Sequence, residues 1–391
     1  MGRAKNEWFD AQERGWSELD THVCEDCVKD AFLKTLIKSN VVSRKCDYCG
    51  RLSRSKMIAA SANIVLAAVT STIDTYYTEP SGAGVPYDGS YLVDPIGLDQ
   101  VLYELGFDAH PGLLSDVISA QMNDEVFVHT AGRHWASSHE HEVWISGWKS
   151  FAHAVKHETR FHFSRLAGSD DNPNNLEVAD VLPMLARRLA PLIRILPAGA
   201  IVYRVRAKTP SDTWQPSPDQ LGAPPPELAI SSGRMNPAGI PYLYSSLEVA
   251  TARCEVEINL RGRYSLYLGS FQLTQDIQVI DLTQLPSIPS LFDVDRKPQR
   301  EASLFIRDFV DAISAPVAKD KKEHIDYVPS QVVCEYFAQV FEPSRGTRLA
   351  GLIFPSAAQQ GGKNLVVFPE DRLERTFHGL ECVRVERLRR S

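Results

Sequence analysis

Between residues 56 and 190, apolar positions recur mainly at the spacing of α-helices. Ala-rich and Leu-rich periodic segments contain few β-branched runs, and clusters of Gly, Pro and Asp such as TEPSGAGVPYDGS separate them. These segments lie at 57–76, 97–106, 111–122 and 146–163. The pattern predicts a helical domain over 56–190. Within it, the polar stretch GSDDNPNN at 168–175 is typical of a linker.

In the C-terminal region, 191–391, the pattern of apolar positions changes to one typical of strands. VLPMLARRLAPLIRIL first predicts a helix over 181–196, and alternation of period two then predicts strands. The predicted strands are AIVYRVRA at 200–207, YSLYLGSFQL at 264–273, DIQVIDL at 276–282, AGLIFPS at 350–356 and NLVVF at 364–368. Helical stretches separate some of these strands, so region 191–391 is expected to be an α+β domain.

Charged side chains interrupt this pattern on one predicted strand. Alternation along AIVYRVRA places Arg204 and Arg206 on one face with Val202, while Tyr203 lies on the other. Two arginines on one face of a strand are an unusual choice for a buried sheet.

A predicted helix follows the stretch GRMNPAGIPYLYSS, which combines turn residues with an alternating strand around Tyr244. On that helix, LEVATARCEVEI at 247–258, we expect Leu247, Ala250, Cys254 and Ile258 to form the buried stripe. Glu255 is then expected to project away from the core.

Four cysteines near the N-terminus form two Cys-x2-Cys pairs. Cys24 and Cys27 make the first pair, Cys46 and Cys49 the second, and the spacing between the pairs fits a four-thiolate zinc site. Four sulfur ligands leave no open position for a catalytic water, so we expect structural Zn²⁺ in a small module over residues 1–55.

Composition narrows the class of protein. The formal charge of −7 and the ordinary 43% hydrophobic content argue for a globular protein whose main task is not coating nucleic acid, and nucleic acid binding stays open. The longest apolar stretch, at 57–69, is too short for a membrane span, and the N-terminus has no secretory pattern. Clustered cysteines favour a reducing compartment, so we expect a cytoplasmic protein with no membrane partner.

The motifs of the C-terminal region resemble those of the RES domain, named for its arginine, glutamate and serine. The resemblance rests on Tyr203-Arg204, on GRMNPAGIPYLYSS, on the helix carrying Glu255, and on FPS at 354–356 with KNLVVF, and it covers about residues 195–385. Met235 departs from the family, whose members often have an aromatic residue there. The preceding cysteine pairs and helical region are similar to the HEPN-like N-terminal module that is fused to some RES domains.

The resemblance implies an ADP-ribosyltransferase-like fold that consumes NAD⁺ as its substrate and releases nicotinamide by hydrolysis or phosphorolysis. It assigns catalysis to Arg204, Glu255 and Ser356. It assigns substrate binding to Arg204, Arg234, Tyr244, Ser356 and Asn364. Many members are bacterial toxins held by an antitoxin, which makes an antitoxin or regulatory protein a candidate partner, together with a second copy of the chain.

The chemistry of these residue types suits that substrate. Arginine grips pyrophosphate oxygens in pairs, which fits Arg204 and Arg234, and the face of Tyr244 can stack on cationic nicotinamide. A carboxylate such as Glu255 stabilises the oxocarbenium-like sugar that forms when the glycosidic bond breaks. Ser356 follows a strand and precedes a Gly-Gly loop, and without a His/Asp partner pattern it is not assigned as a nucleophile.

Three alternatives stay open from the sequence. Mono-ADP-ribosylation of a macromolecule would use the same cavity, and a zinc-dependent adapter would not be an enzyme. A HEPN-type RNase would use an Arg-x4-6-His motif, which occurs at Arg133 with His139 but also, as chance would give, at Arg372 with His378. A metal site at His153 and His157 lacks the glutamate of zinc proteases and is not favoured.

Overall fold

The structure of the chain is a computed structural model. It describes residues 3–122, 126–132, 134–163, 174–258, 260–315, 323–370 and 376–389. The predicted linker at 168–175 lies largely outside these residues. The chain divides into two compact units, the first formed by Met1–Val143 with Ser287–Leu304, and the second by Trp144–Pro286 with Phe305–Ser391. The predicted domain limits near residues 55 and 190 stay predictions.

The first unit begins with short elements around the cysteine pairs. Its helices and strands are α1 Arg3–Arg14, β1 His22–Cys24, α2 Ala31–Ser39, β2 Ala59–Ser61, α3 Asn63–Tyr76, β3 Tyr77–Thr78, β4 Ile96–Gly97, α4 Leu98–Glu104, α5 Pro111–Ala120 and β5 Val126–His129. Asp30 caps α2, because its carboxylate accepts hydrogen bonds from the backbone N–H groups of Phe32 and Leu33.

Helices dominate this unit, as predicted, but two small sheets accompany them. β1 pairs antiparallel with β2, and β5 lies between β3 and β4 in a three-stranded sheet. Strands of two to four residues carry too few alternating positions to stand out from a helical pattern, which is why the sequence did not indicate them.

The segment Ser287–Leu304 contributes directly to the core of the first unit. Phe292 is 3% exposed and its ring lies edge-on to Phe107, with centroids 5.9 Å apart. Ser290 donates a hydrogen bond to the carboxylate of Asp30 at 2.8 Å. A piece of chain distant in sequence therefore completes this core.

Two helices cross the division between the units. They are α6 Glu140–His157 and α10 Lys297–Ser314. In the second unit their aromatic residues pack together: Trp148 meets Phe309 edge-on at 5.0 Å between centroids, and Trp144 meets Phe305 at 5.8 Å. The observed α6 begins six residues before the segment that the sequence pattern suggested.

A mixed eight-stranded sheet forms the centre of the second unit. Its strands are β6 Ile193–Leu196, β7 Ile201–Lys208, β8 Leu243–Ser246, β9 Ser265–Leu273, β10 Ile277–Asp281, β11 Gly351–Pro355, β12 Lys363–Val367 and β13 Leu380–Leu388. They lie in the order β13-β9-β7-β8-β12-β11-β10-β6, and only the pair β10 and β11 is parallel among the described strands. The α+β prediction for this region is confirmed.

The remaining helices of the second unit surround this sheet. They are α7 Val181–Leu189, α8 Pro218–Leu221, α9 Val249–Glu257, α11 Glu323–Asp326 and α12 Val328–Gln339. The helix predicted over 181–196 is wrong in its second half, because α7 ends at Leu189 and β6 starts at Ile193. Pro191 lacks the N–H that would continue the helix.

Strand register brings residues of the sequence motifs to one level of the sheet. Ser246 of β8 lies opposite both Tyr203 of β7 and Asn364 of β12, and Asn364 in turn lies opposite Phe354 of β11. Four strands therefore contribute one motif residue each to this level. In the described part of the chain, no helix is both long and apolar enough to cross a membrane.

Candidate functional site

Helix α9 carries Glu255 and packs on the sheet through small side chains. Thr251 and Ala252 are its buried residues, and Ala252 clusters with Val205 and with the partly buried Val249 and Val256. The expected stripe of Leu247, Ala250, Cys254 and Ile258 is wrong, since Ala250 and Ile258 are exposed. The true stripe, 249, 252 and 256, has helical spacing but smaller residues, which let the helix approach β7 closely.

The carboxylate of Glu255 is held through one of its two oxygens. Oε1 accepts a hydrogen bond from Ser356 Oγ at 2.6 Å and another from Asn364 Nδ2 at 2.5 Å. No described residue donates a hydrogen bond to Oε2. The side chain is therefore fixed in orientation while one oxygen keeps its full capacity to accept hydrogen bonds.

Ser356 itself is held by the loop that follows β11. Its Oγ accepts hydrogen bonds from the backbone N–H groups of Ala358 and Gln359, both at 3.1 Å, and its own N–H donates to the carbonyl of Gly362. The hydroxyl proton therefore points to Glu255 alone. Gly362 is required because a Cβ there would lie 2.6 Å from Thr251 Oγ1.

A second chain of hydrogen bonds reaches Glu255 from the sheet. Ser246 Oγ donates to Asn364 Oδ1 at 2.7 Å, and both residues are buried. This contact fixes the Asn364 amide with its NH₂ group towards Glu255. Two strands thus determine the position of a carboxylate on a helix.

Arg204 lies on β7 and lines the same cavity as Glu255. Its Nη1 atom is buried without a hydrogen-bond partner among the described residues. Burial, with a smaller contribution from the nearby charge of Arg206, lowers the pKa of Arg204 to about 10. The guanidinium stays charged at neutral pH and has donor capacity that the protein does not use, which indicates an anionic ligand.

The loop before β8 positions Tyr244 and Arg234 at the cavity. Tyr244 donates to Asn236 Oδ1 at 2.8 Å and accepts from the backbone N–H of Met235 at 2.9 Å. Burial raises the pKa of Tyr244, so the phenol is neutral. Gly233 fits beneath this ring, because a Cβ there would lie 2.6 Å from the Tyr244 hydroxyl oxygen. The glycine of the motif is thus a packing requirement.

Arg234 is held partly by the neighbouring helices. Its Nη1 donates to the carbonyl of Ile313 at 3.1 Å, and its guanidinium carbon lies 6.0 Å from the centre of the Tyr327 ring. Ser330 donates to the backbone carbonyl of Arg234. These contacts keep the positive charge at the edge of the cavity.

The resulting cavity measures about 580 Å³, a size suited to a nucleotide-sized ligand. Arg204, Arg234, Tyr244, Glu255 and Asn364 all line it, and Ser356 joins them through its bond to Glu255. Arg204 and Glu255 therefore share one cleft.

Tyr203 and Tyr327 also line the cavity, and the sequence analysis did not assign them to it. Tyr327 stands immediately before α12, 72 residues after Glu255 and 29 residues before Ser356, so only tertiary structure brings it there. Tyr203 was assigned to the face opposite Arg204. It still reaches the rim of the cavity together with Val205.

A separate cluster in the first unit contains the four N-terminal cysteines. Their sulfur atoms all lie within 4.8 Å of one another, and neighbouring pairs are 3.6 to 3.8 Å apart. Cys24, Cys27 and Cys46 are buried and Cys49 is exposed. These distances match four ligands around one tetrahedral ion, so the cluster can hold a metal.

The electrostatics of this cluster agree with a metal centre. Burial raises the pKa of Cys24 to about 11 and also raises that of Cys27. Burial opposes ionisation of Cys46 as well, but backbone N–H groups of Cys49, Cys24 and Tyr48 lower its pKa to about 7. A divalent cation would offset the cost of ionising the buried thiols.

Three histidines of the first unit form a polar cluster with Glu301. His139 Nε2 lies 3.2 Å from His129 Nε2, and His141 bonds Glu301 at 2.6 Å. Among the described residues, only the four cysteines bring together three or more ligand atoms of the spacing a metal requires. Arg133 and Arg372 of the two RNase-type spacings lie outside the described residues.

His153 and His157 lie on one face of α6 with ring centroids 5.1 Å apart. His153 is exposed and approaches Glu158 at 3.6 Å. A surface contact accounts for this pair.

The mixed sheet belongs to an α+β domain with a cavity that the carboxylate of Glu255 and the guanidinium of Arg204 both line. Comparison with protein families then identifies it. The RES domain matches residues 201–384, and HEPN/RES N-terminal domain 1 matches residues 39–168. The chain is a RES-domain protein with a HEPN/RES N-terminal domain, and the resemblance drawn from its motifs is confirmed. A comparison with curated proteins finds no match. The RES match supports an NAD-related function in general terms.

Proposed function

We propose that this protein degrades NAD⁺ by releasing nicotinamide, through hydrolysis or phosphorolysis. One observation carries the proposal: the fixed carboxylate of Glu255 and a buried guanidinium nitrogen of Arg204, which has no partner among the described residues, line one cavity of about 580 Å³. That pairing suits a substrate with an anionic end and a developing positive charge.

Arg204 and Arg234 bind the pyrophosphate in this proposal. A charge-assisted hydrogen bond from a buried arginine to a phosphate oxygen is stronger than a neutral one, and Arg204 has a free donor for it. The rings of Tyr244 and Tyr327 line the same cavity and offer flat surfaces for the nicotinamide or adenine ring.

Glu255 stabilises the sugar as the bond between C1′ and the nicotinamide nitrogen breaks. The electron pair of that bond leaves with nicotinamide, which becomes neutral, and positive charge develops on the ribose. An oxygen of water or of inorganic phosphate then bonds to C1′. When water is the attacking molecule, it gives up one proton. The free Oε2 of Glu255 is suited to contact the ribose during this step.

Ser356 and Asn364 serve to position Glu255. The Ser356 hydroxyl donates to the carboxylate and accepts from two backbone N–H groups, so its hydrogen-bonding capacity is filled. This supports a positioning role and argues against a nucleophile. The four cysteines would hold structural Zn²⁺ and take no part in the chemistry.

The proposed setting is that of a cytoplasmic toxin or defence effector, controlled by an antitoxin or another regulatory protein. Loss of NAD⁺ would stop growth in any cell, so an enzyme of this kind needs restraint. Transfer of ADP-ribose to a macromolecule remains the alternative outcome of the same bond cleavage, because only the identity of the attacking atom differs.

The decisive experiment incubates the purified protein with NAD⁺, with and without phosphate, and measures nicotinamide release. We expect Glu255→Gln to lower the rate about 100-fold or more, in the range typical of a lost electrostatic stabiliser. Glu257→Gln is the matched control, because Glu257 lies on the same helix and pairs with Arg253 instead. Equal rates for wild type and Glu255→Gln would overturn the proposal. Dependence on phosphate would assign phosphorolysis.

A further inference from the structure

A second concave surface of the RES domain is strongly basic. Where β7, β9 and β13 meet, a cleft of about 910 Å³ is lined by Lys208, Arg263, Arg387 and Arg389, with Asp212 as its acidic residue. Strand pairing explains the gathering, since Lys208 lies opposite Ser265, and Arg387 lies opposite Tyr267. Four cations against one carboxylate give this cleft a charge of about +3, in a chain whose formal charge is −7.

None of the four cations forms an ion pair with a described residue. Lys208 donates to the backbone carbonyl of Trp214, and Arg387 donates to the hydroxyl of Ser265 at 2.8 Å. Arg263 and Arg389 have no hydrogen-bond partner in the described part of the chain, and both are exposed. Their positive charges are therefore available to a ligand.

Asp212 offsets one of the four positive charges of this cleft. Its Oδ2 accepts hydrogen bonds from the backbone N–H of Thr209 at 2.6 Å and from the Thr209 hydroxyl at 2.8 Å. These bonds, with smaller contributions from the charges of Arg206 and Lys208, lower the pKa of Asp212, and the carboxylate closes the turn after β7. The cleft therefore keeps a net charge of about +3.

Aromatic side chains stand among the cations. Tyr264 and Tyr267 line the cleft, and Tyr267 is braced edge-on by Trp214 at 5.8 Å between centroids. A basic groove interleaved with aromatic rings is typical of surfaces that follow a phosphodiester backbone and contact its bases. A single phosphate would leave most of this volume unused, whereas a strand of several nucleotides would occupy it.

We propose that this cleft binds single-stranded nucleic acid through its phosphates. It is distinct from the NAD⁺ cavity, although the two are close along the chain: Val205 lines one and Lys208 lines the other, about 10 Å apart on β7 by the rise of a strand. Binding here does not depend on NAD⁺ chemistry, so the two proposals can fail separately.

The test is fluorescence anisotropy of the full-length protein with labelled single-stranded RNA and DNA of about 12 nucleotides. If all four cations contact phosphates, the slope of log affinity against log salt is expected to be about −3, and affinity falls about 50-fold between about 50 and 200 mM salt. Arg263→Glu with Arg387→Glu is expected to weaken binding at least about tenfold and to reduce the slope to about half.

One control, Arg384→Glu, and one further cleft variant, Arg389→Glu, which is expected to weaken binding, separate this cleft from general charge effects. Arg384→Glu alters an exposed arginine of the same strand that pairs with Glu386, and it is expected to change affinity less than about threefold. Arg389→Glu, at an exposed position without bonds to described residues, tests the cleft with little risk to folding, which thermal unfolding verifies.

Three results would overturn the proposal. The first is absence of binding at low salt, and the second is an equal loss of binding in Arg384→Glu and the double variant. The third is displacement of the labelled oligonucleotide by poly-glutamate or a phosphopeptide at the same concentrations at which unlabelled RNA displaces it. The last result would assign the cleft to an acidic protein.

Discussion

The hydroxyl of Ser356 donates a 2.6 Å hydrogen bond to Oε1 of Glu255, a residue 101 positions earlier in the chain. Asn364 donates to the same oxygen, and the other oxygen has no donor among the described residues. Ser356 and Asn364 thus hold the carboxylate of Glu255 in one orientation, although the three residues come from different parts of the chain. This arrangement gives each of the motif residues a distinct, measurable role.

Ser356→Ala is expected to lower the turnover rate about tenfold with a small change in KM, because Glu255 loses one of its two anchors while keeping its charge. Steady-state nicotinamide release measures both constants. Ser344→Ala, at an exposed hydroxyl bonded to Thr347, is the control. A loss as complete as that of Glu255→Gln would contradict the positioning role.

Arg204→Ala is expected to raise KM for NAD⁺ and to lower kcat/KM about 10-fold to 150-fold, since a charged hydrogen bond contributes about 1.5 to 3 kcal/mol. Arg206→Ala provides a matched control on the same strand face, because its guanidinium binds the carbonyl of Gln220 and stacks on Trp214. Binding of ADP-ribose by calorimetry gives an independent measure. Equal effects of the two substitutions would remove Arg204 from the substrate site.

Gly233→Ala is expected to destabilise the RES domain by about 1 to 3 kcal/mol, the usual cost of overpacking. A Cβ at this position would lie 2.5 Å from Asn236 Oδ1 and 2.6 Å from the Tyr244 hydroxyl, so the ring must move. Activity should fall with stability. Gly222→Ala meets nothing closer than 3.5 Å and should behave like wild type in thermal unfolding. Unchanged unfolding of Gly233→Ala would show that the loop yields without cost.

Metal analysis is expected to find about one zinc ion per chain. Cys24→Ser should lose the ion and destabilise the first unit, since metal binding and folding are coupled in small thiolate sites. Cys382→Ser, which changes a cysteine remote from the cluster in sequence, should keep the metal. Wild-type protein prepared without chelator and lacking any bound metal would refute the assignment.

Acid is expected to destabilise the first unit through His139. Burial lowers the pKa of His139 in the folded protein, and His129, His141, Glu142 and Glu301 surround it. The unfolded chain therefore binds the proton first, and stability falls as pH drops below about 6.5, by at most about 1.4 kcal/mol per pH unit for this group.

Hydrogen exchange of the first unit at two pH values measures that loss. His139→Gln should reduce the dependence between about pH 6.5 and 5.5, and His129, whose pKa burial also lowers, contributes the remainder. His153→Gln, at an exposed site, should leave it unchanged. Identical pH profiles for His139→Gln and wild type would exclude His139 as the cause.

Glu301 adds a further loss of stability at lower pH. Burial opposes the ionisation of Glu301, but hydrogen bonds from His141 lower its pKa overall.

Local patterns predicted much of this molecule. Alternation indicated strands β7, β9, β10, β11 and β12, and spacing alone indicated the cysteine cluster. Each of these signals is local in the sequence, so it can be recognised without knowing the fold. The helix predicted over 181–196 ends at Leu189 in the structure, two residues before Pro191. Proline has no backbone N–H to continue a helix, but the apolar pattern of the segment runs on past it.

The site was harder to predict where it depends on packing. Helical spacing predicted a buried stripe of Leu247, Ala250, Cys254 and Ile258 on α9, whereas the helix buries Thr251 and Ala252. Tyr327 joined the cavity through tertiary structure, without a sequence signal. Such contacts depend on which elements meet, and one-dimensional periodicity carries no information about that.

The segment Ser287–Leu304 has a practical consequence for dissecting the protein. The chain leaves the first unit, builds half of the second, returns for these residues, and then departs again. No single cut can therefore release an intact N-terminal fragment, since truncation before Phe292 would remove a side chain that fills its core.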